Sequence, residues 1–127
     1  MIKRKSTDWD RFLKASLKQL LSRPPVKFAE MTPGMLPQIA GVYLITKLEG
    51  GSEIPYYIGR TKNIGRRLYR HHLMGSRASA PLKKYLIDNQ VCLTIEEAKD
   101  FMLCNCVARW IEEADYRKRG AIESYCT

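Results

Sequence analysis

The sequence holds no apolar run long enough to cross a bilayer, and no apolar stretch follows its basic opening residues, Met1 to Ser6. Neither a membrane span nor a secretory leader is therefore expected. Cysteine is sparse. Cys92, Cys104, Cys106 and Cys126 match the spacing of neither a zinc finger nor a redox pair. They are expected to be reduced, partly buried thiols in a cytoplasmic protein, with Cys104 and Cys106 on one face if they lie on a strand. There is no internal repeat and no low-complexity tract. Acidic residues are also short: 13 Asp and Glu against 22 Lys and Arg leave a net charge of +9, and the isoelectric point is about 9.6. Such an excess suits a polyanionic partner, because Lys and Arg neutralise phosphates and release counterions. It equally suits a generally basic protein.

What is present is enough for one domain. The chain has 127 residues, 45% of them apolar, which suffices for a core without disulfides or structural metal. Residues 8–22 read as an amphipathic helix: Trp9, Phe12, Leu13, Leu17, Leu20 and Leu21 recur at helical spacing, and Thr7 or Asp8 is placed to cap the start. Pro24-Pro25 ends it. Val26 to Ala40, with Pro33, Gly34 and Pro37, reads as a loop. Gly41 to Leu48 and Ile54 to Gly59 read as the two strands of a hairpin, turned at Glu49 to Glu53. Asn63 caps a helix that reaches about Leu73, with Gly75 just past its end. Pro81 opens a helix to Asp88. Thr94 and Glu97 form a capping box for a helix over Ile95 to Leu103. Asn105 to Ile111 is the candidate third strand, and Ala114 onward the last helix. That helix reaches Thr127 without a cap or breaker, so the natural chain is expected to continue.

Chemistry concentrates between Gly41 and His72. The hairpin sets Tyr43 and Tyr57 on adjacent strands, where side chains on one face are neighbours. Gly59 closes the second strand without a side chain, leaving room for close approach. Asn63 starts a helix whose free N–H groups favour an anion. Arg67 and His71, four apart, project from one face of that helix. Two phenols, a guanidinium and an imidazole at one sheet end suit phosphate chemistry: Arg grips phosphate oxygens, while phenol or imidazole handles protons. Of the adjacent pair, helical spacing selects His71; His72 is expected to be structural or solvent-facing.

These residues resemble the GIY-YIG nuclease superfamily. Gly41-Val42-Tyr43 looks like the first signature with Val for Ile, and Tyr57-Ile58-Gly59 matches the second. Arg60, Thr61, Asn63, Ile64, Arg67 and His71 follow at the family's spacing. The resemblance runs from Gly41 toward the C-terminus and implies an α+β fold: a small antiparallel sheet of about three strands flanked by helices. Residues 1–40 then form an added N-terminal helix and loop packing on the nuclease domain at 41–127. It also implies a metal-binding Glu on a late helix, for which Glu123, preceded by Arg119 and Ile122, is the candidate; Glu112 and Glu113 compete.

The implied activity is metal-dependent hydrolysis of phosphodiester bonds in DNA, with one Mg²⁺ or Mn²⁺ held by Glu123. Tyr43 would orient or deprotonate water, Arg67 would stabilise the transition state, and His71 would assist Tyr43 or touch phosphate. Tyr57 would join the catalytic set by hydrogen-bonding near the phosphate or water, and Gly59, Arg60 and Asn63 would bind the substrate. Basic residues outside this set, among them Lys62, Arg66, Arg70, Arg77, Lys83 and Arg109, would follow the nucleic-acid backbone in part. The alternative is a non-catalytic DNA-binding module that retains the fold. Each residue also has a plainer role: strand aromatics for the tyrosines, a solvated face for the Arg66 to Arg70 run, a surface carboxylate for Glu123.

Overall fold

The computed structural model describes residues 2–76 and 78–127, with side chains from residue 8 onward. The side chain of Thr7 and the whole of Arg77 lie outside the described residues. The architecture is α+β. Helix α1 spans Ile2–Ser22, and strands β1 (Val26–Lys27), β2 (Gly41–Glu49), β3 (Ser52–Thr61) and β4 (Cys106–Glu112) form one antiparallel sheet in the order β1-β4-β2-β3. A π-helix covers Arg66–Leu73, and α2 (Pro81–Asp88), α3 (Ile95–Asn105) and α4 (Tyr116–Cys126) complete the fold. No described helix is long and apolar enough to cross a membrane.

The hairpin is set by its turn. Gly50 and Gly51 both take positive φ (55° and 85°), the twist that a two-residue hairpin turn requires and that residues with a Cβ resist. The Cα register pairs Ile45 with Tyr57 and Thr46 with Pro55. One extra residue, Tyr56, is thus absorbed as a β-bulge. The bulge breaks strict alternation, so Tyr56 and Tyr57 both pack toward the same core. Tyr56 stacks on Phe101 of α3, while Tyr57 lies against Tyr43.

Each sheet face has its own core. Tyr43, Ile45, Ala108 and Cys106 face a core completed by Phe28, Leu68, Leu82, Leu86 and Met102, from the 28–36 segment, the π-helix, α2 and α3. Val42, Leu44 and Ile111 face the other, closed by Leu20 of α1 and Ile122 of α4. Residue alternation along β2 divides the molecule in this way.

Several expectations shift. The 26–40 segment is not loop throughout: Val26 and Lys27 pair with Ala108 and Val107, so the sheet has four strands. Phe28, fully buried, follows in a short 3₁₀ turn (Phe28–Glu30). Helix α1 begins earlier than residue 8, and its apolar stripe is only partly used: Leu20 is buried, whereas Trp9 and Leu21 are about half exposed (45% and 54%). The capping box holds, with Glu97 N–H donating to Thr94 Oγ1 at 3.1 Å. Cys104 lies in the last turn of α3, exposed, and Cys106 begins β4, buried, so the two do not share a strand; all four thiols are free. Away from the site, Arg109 pairs with Glu53 through both carboxylate oxygens and donates to the Arg23 carbonyl (2.9 Å), tying β4 to β3 and to the end of α1.

Candidate functional site

The tyrosine of β2 meets the π-helix in the core. Tyr43 is fully buried. Its Oη accepts from Arg67 Nε at 3.1 Å and lies 2.8 Å from His72 Nε2. A guanidinium can only donate, so the arrangement that satisfies all three atoms has Tyr43 donating its own proton to Nε2. His72 then carries its proton on Nδ1, which has no partner among the described residues. Tyr57 stacks beside Tyr43 (centroids 6.0 Å apart, 19° between planes) and meets the His72 ring edge-on at 4.9 Å. Arg67 Nη1 lies 3.4 Å from His71 Nδ1. Tyr57, Arg67 and His71 are partly exposed. They form the accessible lip of the cluster, with Tyr43 and His72 behind.

Both histidines touch the cluster because of the helix winding. Met74 N–H donates to the Tyr69 carbonyl (3.0 Å), a bond from i+5 to i. A π-turn is wider than an α-turn, so residues five apart come into line much as residues four apart do in an α-helix. Five past Arg67, His72 thus reaches the phenol, while His71, four past it, lies against the Arg67 guanidinium. Of the two alternatives expected for His72, structural or solvent-facing, the second does not hold: it is buried and bonded to Tyr43. No sequence signal for the π-turn exists beyond the adjacency of the two histidines.

Electrostatics sort the two imidazoles and the phenol. Burial drives the Tyr43 phenol well above its ordinary value, outweighing the pull of Arg67, so it is protonated at neutral pH. Burial, with the Arg67 charge second, pushes His72 down to about 3. His71 is lowered as well, by burial first and then by Arg67, Arg66 and Arg70. Both histidines are neutral at pH 7, and His72, the more deeply buried, resists protonation down to about pH 3.

The glycine of the second motif is a contact requirement. A Cβ built at Gly59 would overlap the Tyr43 phenol, whose register partner it is. Asn63 caps the helix start, its Oδ1 accepting from Arg66 N–H at 3.0 Å.

Arg60 and Glu123 sit elsewhere. Arg60, one residue past Gly59, pairs in register with Val42 of the opposite core. Its guanidinium lies 3.6 Å from Glu123 Oε1, over the Tyr116 ring and against Gly120, where a Cβ would collide with it. The Arg60–Glu123 pair therefore belongs to the α4 side of the sheet, and the tyrosine, arginine and histidine cluster to the π-helix side. The two meet only around the end of β3, at Gly59 and Arg60. Among the described residues no three His, Cys, Asp or Glu side chains converge on a common point. Glu112 and Glu113 lie at the end of β4 and just beyond it, and Glu113 accepts from Asp115 N–H at 3.1 Å. Arg119 is buried and donates to the carbonyls of Glu113 and Ala114 (3.0 and 2.9 Å), a brace for the start of α4.

Comparison with known proteins gives one match. A family model described as the GIY-YIG catalytic domain matches residues 39–120, which takes in the hairpin, the π-helix, α2, α3, β4 and the start of α4. Searches of curated proteins and of solved structures returned no significant match.

Proposed function

The chain belongs to the GIY-YIG family, and on that footing we propose that it is a metal-dependent endonuclease hydrolysing phosphodiester bonds in DNA. Nuclease-type function in the broad sense follows from membership. The observation that carries the finer reading is the convergence of Arg67, Tyr43, Tyr57 and the two histidines. A guanidinium at the lip binds a phosphate and stabilises the charge that builds on it in the transition state. Tyr57, accessible beside Arg67, orients the attacking water, and Tyr43 stands behind it. A protonated phenol accepts a proton only if it passes its own onward. Neutral His72, 2.8 Å from Oη, takes the phenol's hydrogen bond but resists protonation, so Tyr43 serves to hold Arg67 and Tyr57 in position and not as a base. His71 extends the lip along the π-helix, and Asn63 caps the start of that helix.

For the divalent ion, Glu123 supplies one partly exposed carboxylate. That donor set fits a hard ion such as Mg²⁺ or Mn²⁺, which keeps most of its waters and takes phosphate oxygens. Its present partner, Arg60, is also a group that an incoming phosphate would draw away. When bound, the ion would offset developing charge and favour departure of the leaving oxygen.

Nicking of supercoiled plasmid in Mg²⁺ is the direct test. Arg67→Ala should lose at least about 10²-fold in rate, the scale for removing one transition-state donor. Mn²⁺ binding, followed by paramagnetic resonance, should fall in Glu123→Gln and persist in Arg67→Ala. Binding of DNA without nicking in any divalent ion would sink the catalytic reading. It would favour a DNA-binding module that keeps the fold, a second reading that the separation of Glu123 from the tyrosine cluster supports.

A further inference from the structure

A cavity of about 330 Å³ lies outside the cluster, between the 32–38 loop and the outer side of the π-helix. Thr32, Gln38, Asn63, Arg66, Tyr69 and Arg70 are among its lining residues, and none of those lining it is acidic. Its size falls at the small end of the range for ligand pockets, about 300–1,000 Å³. The walls are fastened together: Ile64 N–H donates to the Ile39 carbonyl at 2.8 Å and Gly65 N–H to the Pro37 carbonyl at 3.0 Å. Gly65 lets the loop lie that close, since a Cβ there would press on the Leu36 carbonyl oxygen at 3.0 Å.

The charge in this cavity is unmatched. Some cations have carboxylate partners, among them Arg60 with Glu123, Arg109 with Glu53 and Lys84 with Asp88. Among the described residues neither Arg66 nor Arg70 has an ion pair or a side-chain hydrogen bond. Both are exposed, four apart on one helix, and flank the half-buried Tyr69 ring. Two free guanidiniums, an aromatic ring and three neutral polar groups match a nucleic-acid strand: phosphates for the arginines, a sugar or base for the ring.

We infer that this cavity binds the DNA strand flanking the scissile phosphate. The inference rests on the nuclease reading, because Arg67 on the same helix marks where that phosphate sits. The cavity and the lip lie on two sides of one helix, about 10–12 Å across with its side chains; at ~3.4 Å of rise per nucleotide, that separates the two contacts by about three nucleotides.

The test measures binding of a labelled duplex in EDTA by fluorescence anisotropy across a salt series, with Tm and far-UV circular dichroism as folding controls. Each neutralised phosphate contributes about 0.9 to the slope of log affinity against log salt. Arg66→Gln with Arg70→Gln should lower the slope by about 2 and weaken binding about 10- to 100-fold. Gln38→Trp, which fills the cavity without altering charge, should also weaken binding. Lys14→Gln with Lys18→Gln, on α1, should leave the slope unchanged. An unaltered slope in the arginine variant, wild-type binding in Gln38→Trp, or an equal loss in the lysine control each overturns the inference while leaving the nuclease reading intact. Competition by inorganic phosphate or a free mononucleotide as strong as that of the strand overturns the strand assignment. A wild-type protein with no salt-dependent affinity for DNA overturns both.

Discussion

Replacing His72 with Phe should make the protein less stable at neutral pH and more stable in acid. The folded state holds His72 neutral, at a pKa of about 3, while in the unfolded chain the value returns to about 6.5. Between those limits the unfolded state binds a proton that the folded state refuses, so stability is complete above pH 6.5 and drains away as pH falls toward 3. The loss is about 1.4 kcal/mol per pH unit, or about 3 kcal/mol by pH 4.5. Phe fills much of the same volume and does not titrate. It leaves the buried Tyr43 hydroxyl without its acceptor, a cost of about 1–3 kcal/mol, and removes the unpartnered Nδ1–H of His72, which offsets part of that cost. With a net cost of about 1–2 kcal/mol, the two stability curves should cross near pH 5 to 6. Urea unfolding followed by circular dichroism at pH 7.5, 6 and 4.5 measures this, and every other titrating group is common to both proteins. A His72→Phe variant whose stability runs parallel to wild type across that range would refute the buried, neutral imidazole.

Two further predictions follow from contacts in the sheet. Gly59→Ala forces a methyl into the Tyr43 phenol and should cost about 1–3 kcal/mol, as overpacking does; an unchanged Tm in calorimetry would remove the close-contact argument. Glu53 is held down at about 2 by its hydrogen bonds to Arg109, then by that from Thr46. Because its side chain is a third exposed, solvent screening reduces the pair's worth to about 1 kcal/mol. Glu53→Gln should lose that much at pH 7, and the difference should vanish as pH falls from 4.5 through 2, the window in which the carboxylate protonates; a difference that persists at low pH contradicts the ion pair.

Much of the fold could be read locally. The glycine pair between two β-rich runs specified the hairpin, Thr94 and Glu97 the start of α3, and Pro81 the start of α2, because each acts on its own neighbours. What escaped depends on distant partners. Val26 and Lys27 become a strand only because β4 offers an edge, and no pattern in two residues announces that. Trp9 and Leu21 of the α1 stripe stay exposed because the groove above Val42 and Leu44 is shared with α4. At the site, side chains four apart located Arg67 and His71 correctly with respect to each other, but that spacing presumes an α-helix. The widened turn that brings His72 onto Tyr43 belongs to the packed helix and not to any residue within it. The position of Glu123 was hidden for the opposite reason: its helix is plain in the sequence, yet which sheet face α4 covers is decided by Ile122 and the core it joins.

The winding of the 66–73 helix gives the paired histidines a meaning beyond their count. A π-turn differs from an α-turn by a single accommodated residue, so if the stretch rewound as an α-helix at unchanged length, the residue four past Arg67, His71, would come into line with the phenol in place of His72. A chain carrying His at both places keeps a hydrogen-bond acceptor against Tyr43 under either geometry. The segment can therefore absorb a change in winding that would strip a lone histidine from its post.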